Sequence, residues 1–153
     1  MAEIKRILLA EDDPKDVELT LTALEANNLA NEVDVVHDGE QALDYLYRRR
    51  DFKMRSDHNP AVVLLDLKMP KLDGLEVLRE IRANEQLSLI PVVMLTSSRE
   101  ERDLVESYKL GVNAYVVKPV DFDKFIIAVK ELGMFWAVIN EPPPGSTPRT
   151  KQL

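Results

Sequence analysis

The 153-residue chain contains no cysteine. Disulfides, thiolate metal sites and cysteine nucleophiles are therefore excluded, and the composition fits a reducing compartment. Glycine is scarce, with five in all, at Gly39, Gly74, Gly111, Gly133 and Gly145. They form no glycine-rich phosphate loop after any apolar run, which counts against a nucleotide-binding α/β domain. The two histidines, His37 and His58, lack ligand spacing to each other or to a cysteine. An excess of basic charge is also missing. Lys and Arg total 20 against 27 Asp and Glu, for a net charge of −7 and a pI near 4.9. A general nucleic-acid grip needs a basic face, and docking on an anionic membrane needs basic charge, so neither partner is expected. No apolar stretch approaches the ~20 residues of a membrane span. The N-terminal residues run straight into a short apolar segment without a signal-peptide pattern. The expected location is the cytoplasm.

What is present suits one soluble domain, with 45% hydrophobic and 31% charged residues. Five short apolar runs stand out: Ile7–Ala10, Val33–Val36, Ala61–Leu65, Pro91–Leu95 and Ala114–Val117. Most are β-branched and nearly continuous, the pattern of strands covered on both faces of a parallel sheet. Asp34 and His37 interrupt the second, which reads as an edge strand. Helical spacing separates the runs, as in Val17, Leu21 and Leu24, or Leu75, Leu78 and Ile81. A last apolar stripe runs through Phe122, Phe125, Ile126, Val129 and Leu132. Helix starts are marked at Asp13-Pro14, Asp38-Gly39, Asp73-Gly74, Ser98 and Asp121. Five alternating units predict an α/β flavodoxin-like fold, a doubly wound five-stranded parallel sheet of order 2-1-3-4-5. The domain is expected over 1–139, including an aromatic arm at Phe135 and Trp136, followed by a proline-rich, extended or disordered tail at 140–153. Arg48 to Asn59 reads as a polar link, with Arg48-Arg49-Arg50 as a solvated helix end.

In such a sheet, ligands bind at the carboxyl ends of the strands near the switch in strand order. The first strand ends in Glu11-Asp12-Asp13, the third in Asp66, the fourth in Thr96-Ser97-Ser98 and the fifth in Lys118-Pro119. Acids, a hydroxyl and an ammonium should therefore converge on one edge. Crowded carboxylates repel unless they are protonated or bound to a cation, and hard oxygen ligands suit Mg²⁺. Asp12 and Asp66 are candidates for direct binding, Glu11 through water, and the backbone carbonyl of Lys68 as a further ligand. Asp66 could then attack phosphorus to form an aspartyl phosphate, with Lys118 and the Thr96 hydroxyl holding the transferred oxygens.

These blocks together resemble the signatures of response-regulator receiver domains. They are Ile7 to Asp13, Leu64 to Pro70 with Asp73-Gly74, Leu95-Thr96-Ser97 and Tyr115 to Pro119. The resemblance covers roughly residues 4–133. It implies Asp66 as phosphoacceptor, Glu11 and Asp12 as the acidic pair, Thr96 as switch hydroxyl, Lys118 as phosphate-binding lysine and Tyr115 as the aromatic that rotates inward. It also implies a cis bond between Lys118 and Pro119. Three consecutive acids leave a one-residue slip open, which would make the pair Asp12 and Asp13. The polar link and the Phe135-Trp136…Glu141-Pro142 tail are similar to stand-alone regulators that partner phytochrome histidine kinases, a group in which the C-terminal segment builds a homodimer.

Each residue also has a plainer reading. Asp66 could cap a loop, Glu11 and Asp12 could form an ordinary acidic turn, and Thr96 could cap a helix. Lys118 could only neutralise buried acids, Tyr115 could be a half-buried strand aromatic, and Phe135 and Trp136 could cover the domain's own core. The combination favours a phosphorylation switch over an enzyme. An aspartyl phosphatase usually carries a general-acid Asp two residues past its nucleophile, and here that residue is Lys68. No helix-turn-helix follows residue 139, so output is expected through protein partners.

Overall fold

The computed structural model describes residues 6–25, 32–55, 58–97 and 101–118, with Asp123 and Ile127, both helical. Strands β1 (Arg6–Ala10), β2 (Glu32–Val36), β3 (Val62–Asp66), β4 (Val92–Thr96) and β5 (Ala114–Val117) alternate with helices α1 (Pro14–Glu25), α2 (Gly39–Tyr47), α3 (Gly74–Ala83) and α4 (Glu101–Lys109). All pairings are parallel, in the order β2-β1-β3-β4-β5. This is the predicted flavodoxin-like topology.

The continuous apolar runs follow from a core on each face. Successive strand residues point to opposite sides. Leu8, Ala10, Val63, Leu65 and Met94 pack with Leu46, Leu78 and Ile81 on one side. Ile7, Leu9, Leu64, Val93 and Leu95 pack with Leu24, Val17 and Leu21 on the other. All five residues of β3 are buried, as its place at the centre of the sheet requires. β2 lies at the edge, and its Val33, Asp34 and Val35 are half-buried. Arg6 Nη1 donates to both Asp34 oxygens at 3.0 and 3.1 Å, and Tyr45 Oη donates to Oδ2 at 2.5 Å. A half-buried carboxylate at an edge thus has the donors it needs. Burial, together with Asp34 beside it, pushes the Tyr45 phenol above its usual range.

Two strands run one residue further than the apolar pattern indicates. Asp66 closes β3 opposite Leu95, and Thr96 closes β4 opposite Val117. Hydropathy ends at the polar residue, but the backbone ladder continues through Leu67 N–H to Leu95 O and Lys118 N–H to Thr96 O. The polar link also differs from expectation. Arg48 takes a left-handed conformation (φ 57) at the C-cap of α2, and a 3₁₀ turn follows at Arg50–Phe52. Arg49 and Arg50 fold back on buried Asp44 at 3.0 and 3.4 Å instead of pointing freely into solvent. A carboxylate taken out of water needs such partners. Arg55 stacks 4.1 Å over the Tyr45 ring and donates to the Tyr45 carbonyl.

At the amino edge of the sheet, Arg82 from the end of α3 ties the approaches to β4 and β5 together. Its guanidinium donates to the carbonyls of Gly111, Ser88 and Ile90 and to Asn113 Oδ1, at 2.7–3.0 Å. The apolar stripe from Phe122 to Leu132, Pro119, Ser98, the arm at Phe135 and Trp136, and the boundary at 139/140 lie outside the described residues.

Candidate phosphoryl and cation site

The opposite, carboxyl edge gathers the acids. Glu11 follows β1, is buried to 1% exposure, and anchors its backbone through N–H to Val36 O at 3.0 Å. Asp12 is exposed. Asp13 is spent on the helix. It precedes Pro14, the first residue of α1, and its Oδ1 accepts from Lys15 N–H at 2.9 Å, the arrangement of an N-cap. Glu11 Oε2 in turn accepts from Asp13 N–H at 3.2 Å. Glu11, Asp12 and Asp66 each offer a carboxylate oxygen within 4.8 Å of one another. The structure therefore brings the pair Glu11 and Asp12 to Asp66, and Asp13 to the helix start.

Asp66 is 4% exposed at the end of β3. Its loop is locked by Gly74, whose N–H donates to Leu67 O at 2.8 Å. A Cβ on Gly74 would lie 2.5 Å from Asp66 O and 2.9 Å from Leu67 Cα. Only glycine lets α3 start this close to the acceptor. Asp73 then caps α3 in a reciprocal box with Glu76. Lys68, two residues beyond Asp66, has an exposed side chain.

Lys118 reaches in from the end of β5. Its Nζ lies 2.6 Å from Glu11 Oε1, 3.0 Å from Asp66 Oδ1 and 2.9 Å from Asp16 Oδ2. The Asp16 contact has hydrogen-bond geometry. Glu11 Oε1 is buried and close to the ammonium but lacks an aligned donor among the described residues. Burial raises the Asp66 carboxyl to about 7, and the Glu11 charge adds to this, while Lys118 opposes it. Burial works against the Lys118 charge as well, but Glu11, Asp16 and Asp66 outweigh it, so its affinity for a proton rises. The site holds more negative charge than one ammonium offsets, and it presents hard oxygens. That donor set fits a divalent cation of the Mg²⁺ or Mn²⁺ kind.

Thr96 is buried (1% exposed) at the end of β4, the strand beside β3. Tyr115 on β5 is half-buried and packs against the core on the α3 side. Every described residue picked from sequence thus stands on or beside the carboxyl edge, except Tyr115, which lies within β5. Asp16 was missed. An acid in a first helical turn reads as a favourable dipole contact. Its approach to a lysine 102 residues away depends on where α1 crosses the sheet.

The family model for the response regulator receiver domain matches residues 7–130. The solved bacteriophytochrome response regulator RtBRR is 65% identical, over 94% of this chain and 87% of its own, with a TM-score of 0.82. Rcp1 of Synechocystis sp. (strain ATCC 27184 / PCC 6803 / Kazusa), a response regulator, is 37% identical over 132 residues, 86% of this chain and 88% of its own. The Mn²⁺-bound form of Rcp1 superposes with a TM-score of 0.72, covering 90% of this chain and 96% of that one at 34% identity. The phosphorylated cyanobacterial phytochrome response regulator RcpA is 38% identical over 88% of this chain and 95% of its own, with a TM-score of 0.74.

Proposed function

The chain belongs to the family of response regulator receiver domains, and from that premise we propose that it is a phosphorylation switch charged on Asp66 by a partner histidine kinase. The observation that carries this reading is the meeting of Asp66 with Lys118 at 3.0 Å inside the acid cluster of Glu11 and Asp12. An Asp66 oxygen attacks the phosphorus of a phosphohistidine. The new O–P bond forms as the P–N bond breaks, and the imidazole leaves with a proton taken up from solvent. Lys118 and the Thr96 hydroxyl donate to the transferred oxygens, and Tyr115 follows Thr96 inward. Glu11, Asp12, Asp66 and the Lys68 carbonyl would hold Mg²⁺, which when bound neutralises charge on the acceptor and the phosphoryl group. Lys118 works against burial and the Glu11 charge and so favours the Asp66 carboxylate, the form that attacks.

Output is through protein contacts, and the protein is a switch, not a metabolic enzyme. The likeness to RtBRR and RcpA, a bacteriophytochrome and a phytochrome response regulator, supports a phytochrome kinase as donor. A homodimer through Phe135 and Trp136 belongs to the same reading, and sedimentation of a chain cut after Gly133 tests it; unchanged assembly removes the arm from the interface. The chemistry itself is tested with acetyl phosphate and Mg²⁺. Wild type gains the mass of one phosphoryl group and Asp66→Asn does not. Equal labelling of both, or steady turnover of a generic phosphate ester, sinks the proposal.

A further inference from the structure

The connection from α2 to β3 concentrates positive charge in an acidic chain. Residues 48–59 hold five Lys and Arg against two Asp, a local +3 within a total of −7, which leaves −10 on the rest. Two of the five cations are gathered by one atom. Buried Asp44 Oδ1 accepts from Arg49 Nε at 3.0 Å and from Arg50 Nη1 at 3.4 Å. One carboxylate therefore holds two guanidiniums side by side, with 48% and 67% of their side chains still exposed. Each spends one of its five N–H donors on Asp44, and no other acceptor among the described residues takes a side-chain N–H from either. Exposed Lys53 follows one 3₁₀ turn after Arg50, closed by Lys53 N–H to Arg50 O at 3.3 Å. Met54 beside it is 89% exposed.

This surface is fixed before any ligand arrives. Phe52 packs edge-on against the Tyr45 ring at 5.4 Å, Arg55 stacks 4.1 Å over the same ring, and Tyr45 is buried. A preformed surface loses little freedom on binding. Arg48 and Arg50 take left-handed backbone, φ 57 and 53, where glycine would carry no penalty, yet arginine stands at both. Guanidiniums on an open surface suit carboxylates, which they grip in bidentate pairs. The −10 on the remaining chain repels an extended polyanion such as nucleic acid or an anionic membrane. A short acidic segment of a protein fits better, and Met54 offers it an apolar contact beside the charges. We propose that Arg49, Arg50 and Lys53 form a docking surface for such a segment, with Asp44 as the buried anchor that positions the two guanidiniums. The connection leaves α2 and enters β3 at the amino edge, whereas Asp66 closes β3 at the carboxyl edge. The docked partner and a phosphoryl donor can therefore be bound together.

The test titrates the full chain into a fluorescein-labelled peptide of glutamates around one leucine, read by anisotropy. Wild type should bind the peptide and release it as salt rises. Arg50→Gln combined with Lys53→Gln should weaken binding about tenfold, the worth of two exposed ion pairs. Arg49 stays on Asp44 in that variant, so the buried carboxylate keeps a partner. Lys71→Gln combined with Lys109→Gln removes the same charge from two other exposed lysines and should change binding less than about twofold. Where the first pair fails to fold, Lys53→Gln alone, set against Lys71→Gln, decides, with about threefold weaker binding expected. No binding by the wild type, or equal loss in the two sets, overturns the proposal. Tighter binding of a thymidylate oligomer of matched charge, or of phosphatidylserine vesicles, overturns it too. A second readout locates the contact: the Arg49 and Arg50 Nε–H resonances should shift as peptide is added. Fixed resonances at both, with binding intact, place the peptide elsewhere and sink the assignment.

Discussion

The two edges of the sheet treat charge in opposite ways. At the amino edge, one guanidinium, Arg82, donates to three carbonyls and one side-chain amide. Three of those acceptors are backbone carbonyls near the starts of β4 and β5, and the fourth, Asn113 Oδ1, also accepts from Val92 N–H at 2.8 Å, so the edge is close to satisfied. At the carboxyl edge, among the described residues, Glu11, Asp16 and Asp66 share the ammonium of Lys118, and Asp12 adds a further carboxylate beside Glu11 and Asp66. That edge is left short of positive charge. The comparison separates stability from readiness: the fold is fastened at one end, and the other end stays poorly neutralised, which is what gives a cation or a phosphoryl contact something to gain.

The largest effect should come from the fastened end. Arg82→Ala leaves several partly buried acceptors without donors and should cost about 3 kcal/mol in urea unfolding. Labelling of the folded fraction by acetyl phosphate should not change. A loss below about 1 kcal/mol, or a drop in labelling, would break the contrast. Next, and opposite in sign, comes Asp66→Asn. The carboxyl of Asp66 is raised by burial from 3.8 to about 7 in the fold. The folded state therefore holds its proton more tightly than the unfolded chain. Its contribution is fully present below pH 3.8 and is lost as pH rises through about 7. In chelating buffer, Asp66→Asn should be more stable than wild type at pH 8 by about 2 kcal/mol, with the two converging toward pH 4. Adding Mg²⁺ or Mn²⁺ at pH 8 should raise the melting temperature of the wild type and not of the variant. A wild type that is the more stable of the two at pH 8 without metal would refute the idea that this edge stores repulsion.

Gly74→Ala should disturb both properties at once. The added methyl meets Asp66 O and Leu67 Cα, which are backbone atoms unable to rotate aside. A cost of about 2 kcal/mol is expected, with slower labelling of the folded protein. Loss of stability with normal labelling would mean that the acceptor loop adapts without moving Asp66.

The sequence made the sheet legible because one physical fact repeats. Strands covered on both faces read as unbroken apolar runs, and here the order follows from that alternation with helices. The carboxyl-edge residues were legible for the same reason, since each polar group stands where such a run stops. Two features were not. Asp16 lies on α1, and its partner Lys118 is one hundred and two positions on; nothing local distinguishes it from a helix-start acid. The fold of Arg48–Arg55 was equally hidden. Asp44 looks like an outward helix residue until α2 is packed, and only its burial explains why Arg49 and Arg50 turn back.

The smallest effect lies in the loop beside the acceptor. Lys71 has φ 69, a left-handed conformation that costs a residue with a Cβ about 1 kcal/mol. Its ammonium stands 3.8 Å from Asp38 and 3.7 Å from Glu40 with a side chain 57% exposed, a pairing that water and salt screen strongly. Two substitutions separate these contributions. Lys71→Ala keeps the strained backbone and removes the charge, so it should cost no more than about 0.5 kcal/mol, and less at high salt. Lys71→Gly removes the same charge and also the Cβ, and should be more stable than Lys71→Ala by about 0.5 kcal/mol after the added freedom of the unfolded chain is counted. If alanine equals glycine, the left-handed turn carries no strain. If both cost well over 1 kcal/mol, the loop is fastened by charge as firmly as the amino edge is by Arg82, and the contrast between the edges narrows to the acid cluster itself.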